Sequence, residues 1–140
     1  MWNRVGICVF ALMVSVGAAG CGGGNNGSGA SDHVFFDNLP KDIGASGHFE
    51  GTFSLPSNAT VTYSVTNTGA STTSWNVGIA PASELPAFEA DQMWQAYAPH
   101  NDVSTISDSA SVPAGDYALA LRCTNIVNDC SFTFSVDAVF

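Results

Sequence analysis

After residue 47 the chain alternates apolar and polar residues with a period of two along most of its length, the pattern of strands buried on one side. In residues 48–55 one side carries Phe49, Phe53 and Leu55, and the other His48, Glu50, Thr52 and Ser54. Residues 60–66 set Val61, Tyr63 and Val65 against the hydroxyls of Thr60, Thr62, Ser64 and Thr66, and residues 74–80 place Trp75, Val77 and Ile79 together. Tyr117, Leu119, Leu121 and Cys123 share a face of the next clear strand; Cys130, Phe132, Phe134, Val136 and Ala138 share a face of the last. Weaker strands are expected over 33–36 and 103–112. Turn residues punctuate the series at Leu39-Pro40-Lys41-Asp42, Pro56-Ser57-Asn58, Asn67-Thr68-Gly69 and Pro113-Ala114-Gly115-Asp116. About seven short strands at this spacing predict an all-β chain folded as a β-sandwich.

The register also places Cys123 and Cys130 on the core faces of successive strands, with residues 124–129 as the turn between them. A cross-strand disulfide in a hairpin is therefore expected. Zinc is the competing use, but two cysteines with six residues between them and no nearby histidine match no zinc spacing.

Residues 81–102 break the alternation and are too long for a hairpin loop. Ser83 and Asp91 are of the type that caps helices, and Leu85/Phe88 and Met93/Tyr97 stand at helical spacing. The segment is expected to be a long loop carrying one or two helical turns, anchored on the sandwich by Leu85 and Phe88. Trp94 and Tyr97, three residues apart, then form the candidate ligand-binding pair, an aromatic platform suited to a sugar ring. The plainer alternative is that the same residues cap an open end of the core.

The N-terminal region has a different character. Met1-Trp2-Asn3-Arg4 carries one positive charge, and residues 5–16 are nearly all apolar. That run is short of the ~20 residues needed to span a membrane and fits the core of an export signal. Gly17-Ala18-Ala19-Gly20-Cys21 follows, and it resembles the lipobox of bacterial lipoproteins. The resemblance implies cleavage before Cys21, diacylglyceryl on its sulfur and a further acyl chain, such as palmitate, on its nitrogen. Ala18 stands where the family favours leucine, and cleavage by ordinary signal peptidase near Ala19 is the alternative. Residues 22–31 contain only Gly, Asn, Ser and Ala, a tether spanning on the order of 17 Å. The expected organisation is a signal peptide over 1–20, a lipidated cysteine and tether over 21–31, and a sandwich domain over 32–140. Gly22 differs from the aspartate that marks inner-membrane retention, so the lipid anchor is expected in the outer membrane of a Gram-negative envelope.

Charge narrows the choice of partner. Three residues carry a fixed positive charge, Arg4, Lys41 and Arg122, against twelve acids. Arg4 lies in the export segment and every acid lies beyond it, so the mature surface repels nucleic acid. His33, His48 and His100 belong to no ligand or catalytic pattern, and Asp91, Asp102 and Asp108 sit in no D-x-D-x-D-G loop, so neither a metal nor a cofactor is expected. Gly44-Ala45-Ser46-Gly47 lacks the spacing of a nucleophile turn, and no H-E-x-x-H or P-loop occurs, so the chain is not expected to be an enzyme. Val112-Pro113-Ala114-Gly115-Asp116-Tyr117-Ala118-Leu119 and Phe132-Thr133-Phe134-Ser135-Val136 resemble the closing hairpin of bacterial pre-peptidase C-terminal domains, over about a quarter of the domain. That resemblance implies a jelly-roll-like, non-catalytic accessory module. The function expected is binding of a glycan or another envelope protein; the rival is a passive structural component with no small ligand.

Overall fold

The computed structural model describes residues 32–69 and 73–140; the export segment, Cys21 and the tether lie outside the described residues. The described chain forms eight strands: β1 (Asp32–Ile43), β2 (His48–Leu55), β3 (Ala59–Asn67), β4 (Trp75–Pro81), β5 (Tyr97–Val103), β6 (Thr105–Val112), β7 (Gly115–Cys123) and β8 (Cys130–Val139). A 3-10 turn over Ala82–Glu84 leads into one short helix, α1 (Leu85–Glu89). The strands make two four-stranded sheets, in the orders β1-β8-β3-β6 and β2-β7-β4-β5, with every ladder antiparallel. Strand 1 pairs with 8, 2 with 7, 3 with 6 and 4 with 5, as in one long hairpin rolled onto itself. This is a jelly roll.

The alternation read from the sequence is what faces the two sheets together. Val61, Tyr63 and Val65 of β3 are fully buried, as are Trp75, Val77 and Ile79 of β4. Cys130, Phe132, Phe134, Val136 and Ala138 of β8 meet them from the first sheet, and Tyr117, Leu119 and Leu121 of β7 from the second. Aromatic rings run through this interior: Trp75 lies 5.6 Å from Phe132, and Phe49 4.8 Å from Phe134. Tyr63 also ties the sheets by a hydrogen bond, its hydroxyl donating to the carbonyl oxygen of Ala98 on β5 at 2.6 Å.

Four expectations need correction. β1 runs through Leu39-Pro40-Lys41-Asp42, which the sequence marks as a turn. The turn chemistry acts as a bulge instead: Asn38 has φ 45°, and the pairing with β8 shifts register between Phe36 and Leu39. As an edge strand, β1 tolerates both the bulge and Pro40. The second half of the expected loop, Tyr97–Val103, is an edge strand, so the long loop is shorter than expected within a sandwich of eight described strands. Pro99, positive φ at Ala98 and Asp102, and an irregular ladder to β4 erase its periodicity. The expected strand over 103–112 is divided at Ser104, where the chain passes from one sheet to the other.

The fourth concerns the disulfide. Cys123 and Cys130 are joined, with Cα atoms 5.9 Å apart, and both are buried in the core. However, β7 and β8 lie in different sheets, so the bond staples the two layers rather than neighbouring strands of a hairpin. Sequence register tells which face a cysteine occupies; it does not tell which sheet.

Replacing both Cys123 and Cys130 by alanine is expected to lower the unfolding free energy by roughly 2–4 kcal/mol in urea titrations. Tyr63→Phe should cost about 1 kcal/mol, the usual net value of one hydrogen bond. Burial first, and then the charge of Asp108, push the Tyr63 phenol above its ordinary range. A raised folded value means that its contribution is complete below the ordinary phenol range and is lost as pH rises beyond it. Wild type should therefore lose stability above about pH 10, and Tyr63→Phe should flatten that loss; an unchanged alkaline limb would show the phenol plays no part.

Candidate binding site

Two regions of the surface carry structure beyond the sandwich itself. The first is the cap formed by the 3-10 turn, α1 and the following residues, on the outer face of the β2-β7-β4-β5 sheet. That face is floored by small residues: Ala80 of β4 and Ala120 of β7 are fully buried beneath the cap. A Cβ on Gly78 would come within 2.8 Å of the Ala96 Cβ, so only glycine lets the returning chain pass so close. Phe88 fills the resulting hollow with no exposure, and Leu85 and Trp94 pack around it. The Arg122 guanidinium lies over its ring at 5.1 Å, donates to the Phe88 carbonyl oxygen and pairs with Asp91. The amide of Gln95 donates to Glu84 at 3.0 Å and closes the cap.

Leu85 and Phe88 thus dock as expected, while the capping residues do not. Ser83 sits inside the 3-10 turn and makes no side-chain cap, and Asp91 follows α1 with φ 59° and binds Arg122. Trp94 and Tyr97 share no helical turn. Trp94 is half-buried edge-on to Phe88, with ring centroids 4.9 Å apart, in the outer cluster. Tyr97 belongs to β5 and packs against the inner core, 6.0 Å from Tyr117. They serve opposite faces of one sheet, and the structure does not bring them together as a platform.

The remaining candidates are also dispersed. Asp102 accepts from the Ser74 hydroxyl at 2.6 Å, and Asp108 is 2.7 Å from Nε2 of His100. The His100 hydrogen bond, and then the Ser109 amide, hold the Asp108 carboxyl below its ordinary range. His48 and His33 stand against the rings of Phe88 and Phe35. Among the described residues no three metal-ligating side chains converge.

The second region lies at the sandwich's long edges. On one side the sheets are closed: the chain crosses directly from β5 to β6, and Tyr63 and His100–Asp108 span the gap. On the other, the edge strands β1 and β2 share no ladder and leave a cleft of about 410 Å³. That volume is within the range of ligand pockets, ~300–1,000 Å³. Phe36, Phe49 and Phe134 converge as its apolar wall, with Phe36 5.2 Å from Phe134. Gly51 makes the convergence possible, since a Cβ there would touch all three rings at 3.3–3.4 Å. Leu39 forms an exposed lip, and the Lys41 ammonium lies 5.4 Å from the Phe49 ring centroid. Arg122 is committed to the cap, whereas Lys41 makes no ion pair among the described residues.

Glu50, beside the cleft, has an enclosed oxygen without a hydrogen-bond partner among the described residues. Burial, then the nearby Glu89 charge, raise its carboxyl above the ordinary range, opposed by His48. A larger recess of about 520 Å³ between Asn58, Ser111 and Phe140 has no charged side chain on its walls. The aromatic cleft has the better chemistry for recognition. Sequence periodicity missed it, although a glycine at the inward position between Phe49 and Phe53 is the kind of signal that marks close approach.

Phe88→Ala is expected to cost about 3–5 kcal/mol, the usual penalty for emptying a buried aromatic site. Trp94→Ala should cost less, about 1–2 kcal/mol, because the ring is half-buried but packs on Phe88. Thermal melts decide the order, and a Trp94→Ala melt identical to wild type would show a free ring. The chain matches no protein-family model and no curated protein sequence.

Proposed function

We propose that this chain is a non-enzymatic, lipid-anchored protein of the cell envelope whose jelly roll is a binding module, with the cleft between β1 and β2 as its ligand site. The cleft carries this reading: three rings converge there on an open edge, beside a cation that makes no ion pair among the described residues. A disulfide in so small a domain supports an oxidising compartment outside the cytoplasm. The Gly17-Ala18-Ala19-Gly20-Cys21 run supports export and acylation at Cys21, with the outer membrane as the destination. The ligand is a glycan or another envelope protein.

The passive-component reading has one observation in its favour: Trp94 and Tyr97, the aromatics best placed in sequence for a ligand, are both spent on packing. Two measurements separate the readings. Mass spectrometry of the mature protein should find an acylated N-terminal Cys21, and Cys21→Ser should abolish membrane association. Purified envelope glycans and envelope proteins should then include a ligand that binds wild type and is lost on Leu39→Asp, a change at an exposed lip that leaves the melt intact. Absence of any Leu39-dependent ligand would favour the passive component.

A further inference from the structure

The chemistry of the cleft can be taken one step further, on the premise that it is the binding site. Its two walls are edge strands of different character. β1 carries edge protection: a bulge at Asn38, Pro40 and the charge of Lys41. β2 has none on its backbone. It runs His48–Leu55 in unbroken register with β7, without proline or bulge, and among the described residues pairs with no other strand. In an antiparallel ladder every second residue turns its amide and carbonyl away from the partner. The cleft is lined by the consecutive residues Phe49, Glu50, Gly51 and Thr52, so it follows the unpaired backbone edge as well as the inward side chains.

A regular free edge, an apolar pocket beside it and a single cation make up the recognition elements of strand addition. We infer that the cleft takes an extended peptide segment of a partner protein, one that pairs with the β2 edge. An apolar side chain of that segment lies on Phe36, Phe49 and Phe134, and a carboxylate, from an acidic residue or the C-terminus, reaches Lys41. Main-chain pairing would supply affinity, the rings would select an apolar residue, and Lys41 would fix direction. Lys41 is the one lysine in the chain and the one cationic side chain lining the cleft, so it is the point there at which a carboxylate of the segment would be attracted.

The probe is a library of randomised eight-residue peptides with free C-terminal carboxylates, paired with an amide-ended copy. Both are presented to residues 22–140, a form that contains every strand and both apolar clusters of the described fold. Wild type should enrich peptides that carry an apolar residue near an acid or a free carboxylate. Amidation or neutralisation of that group should weaken binding about two- to fivefold, the strength of a solvent-exposed ion pair. Lys41→Gln should remove this preference and Lys41→Arg should keep it. N-methylation of alternate backbone amides should abolish binding, and bound peptide should slow amide exchange along β2.

Indifference to N-methylation, or a carboxylate preference that survives Lys41→Gln, would overturn the inference. If no peptide is enriched but a glycan binds in a Leu39-dependent way, strand addition falls and the cleft remains the site. If nothing binds and Leu39→Asp changes nothing, both readings fall together.

Discussion

The interior shared by the two sheets is built almost wholly from residues far apart in the chain. β1 must meet β8, β2 must meet β7, and only β4 with β5 are near neighbours in sequence order. The loop-closure cost of such pairings is met only when both sheets bury their inner faces together, since a single sheet would leave one face of large apolar residues in water. This constraint explains why the inward set is so uniform. Val61, Tyr63, Trp75, Ile79, Leu119, Phe132 and Val136 are all at or near zero exposure. It also explains the covalent bond between the layers: Cys123 and Cys130 hold the sheets together where the chain leaves one for the other.

Among the described residues, one sheet is covered on both sides and the other is not. β4 and β7 carry Gly78, Ala80, Ala118 and Ala120 on the face away from the core, a floor too small and apolar to be left as a finished surface. The cap answers it with one large residue, Phe88, and satisfies the polar end of that contact with Arg122. Residues that look like a ligand platform when read at helical spacing are thereby drawn into packing. The free surface chemistry shifts to the long edge of the sandwich where β1 and β2 diverge.

Central strands were legible in the sequence because each carries a row of large inward residues at every second position: Val61, Tyr63 and Val65 on β3, Trp75, Val77 and Ile79 on β4, Tyr117, Leu119 and Leu121 on β7, and Phe132, Phe134 and Val136 on β8. The edges were not. β5 spends Pro99 and two left-handed residues on fitting beside β4, and half of β1 reads as a turn for similar reasons. Trp94 and Tyr97 were paired by a helical period that ends at Glu89, before either residue. The cleft was invisible to any local pattern because its walls belong to different sheets and meet only through the roll; Gly51 and the solitary Lys41 were its traces in the sequence.

The pairing of first strand with last has a kinetic side. Asp32 stands opposite Val139, and β8 lies between β1 and β3, so β1 has no ladder at all until β8 is in place. In a chain synthesised N-terminus first, β1 emerges with Phe35 and Phe36 uncovered and waits for nearly the whole domain to follow. Non-local pairing of this kind is slow, and the waiting edge is open to pairing with a wrong chain. The residues at the far end of β8 are thus the ones that finish the first sheet. Cys123 and Cys130, by contrast, lie seven residues apart and meet by closing one short loop, so their bond fixes the crossing between β7 and β8 without waiting for β1.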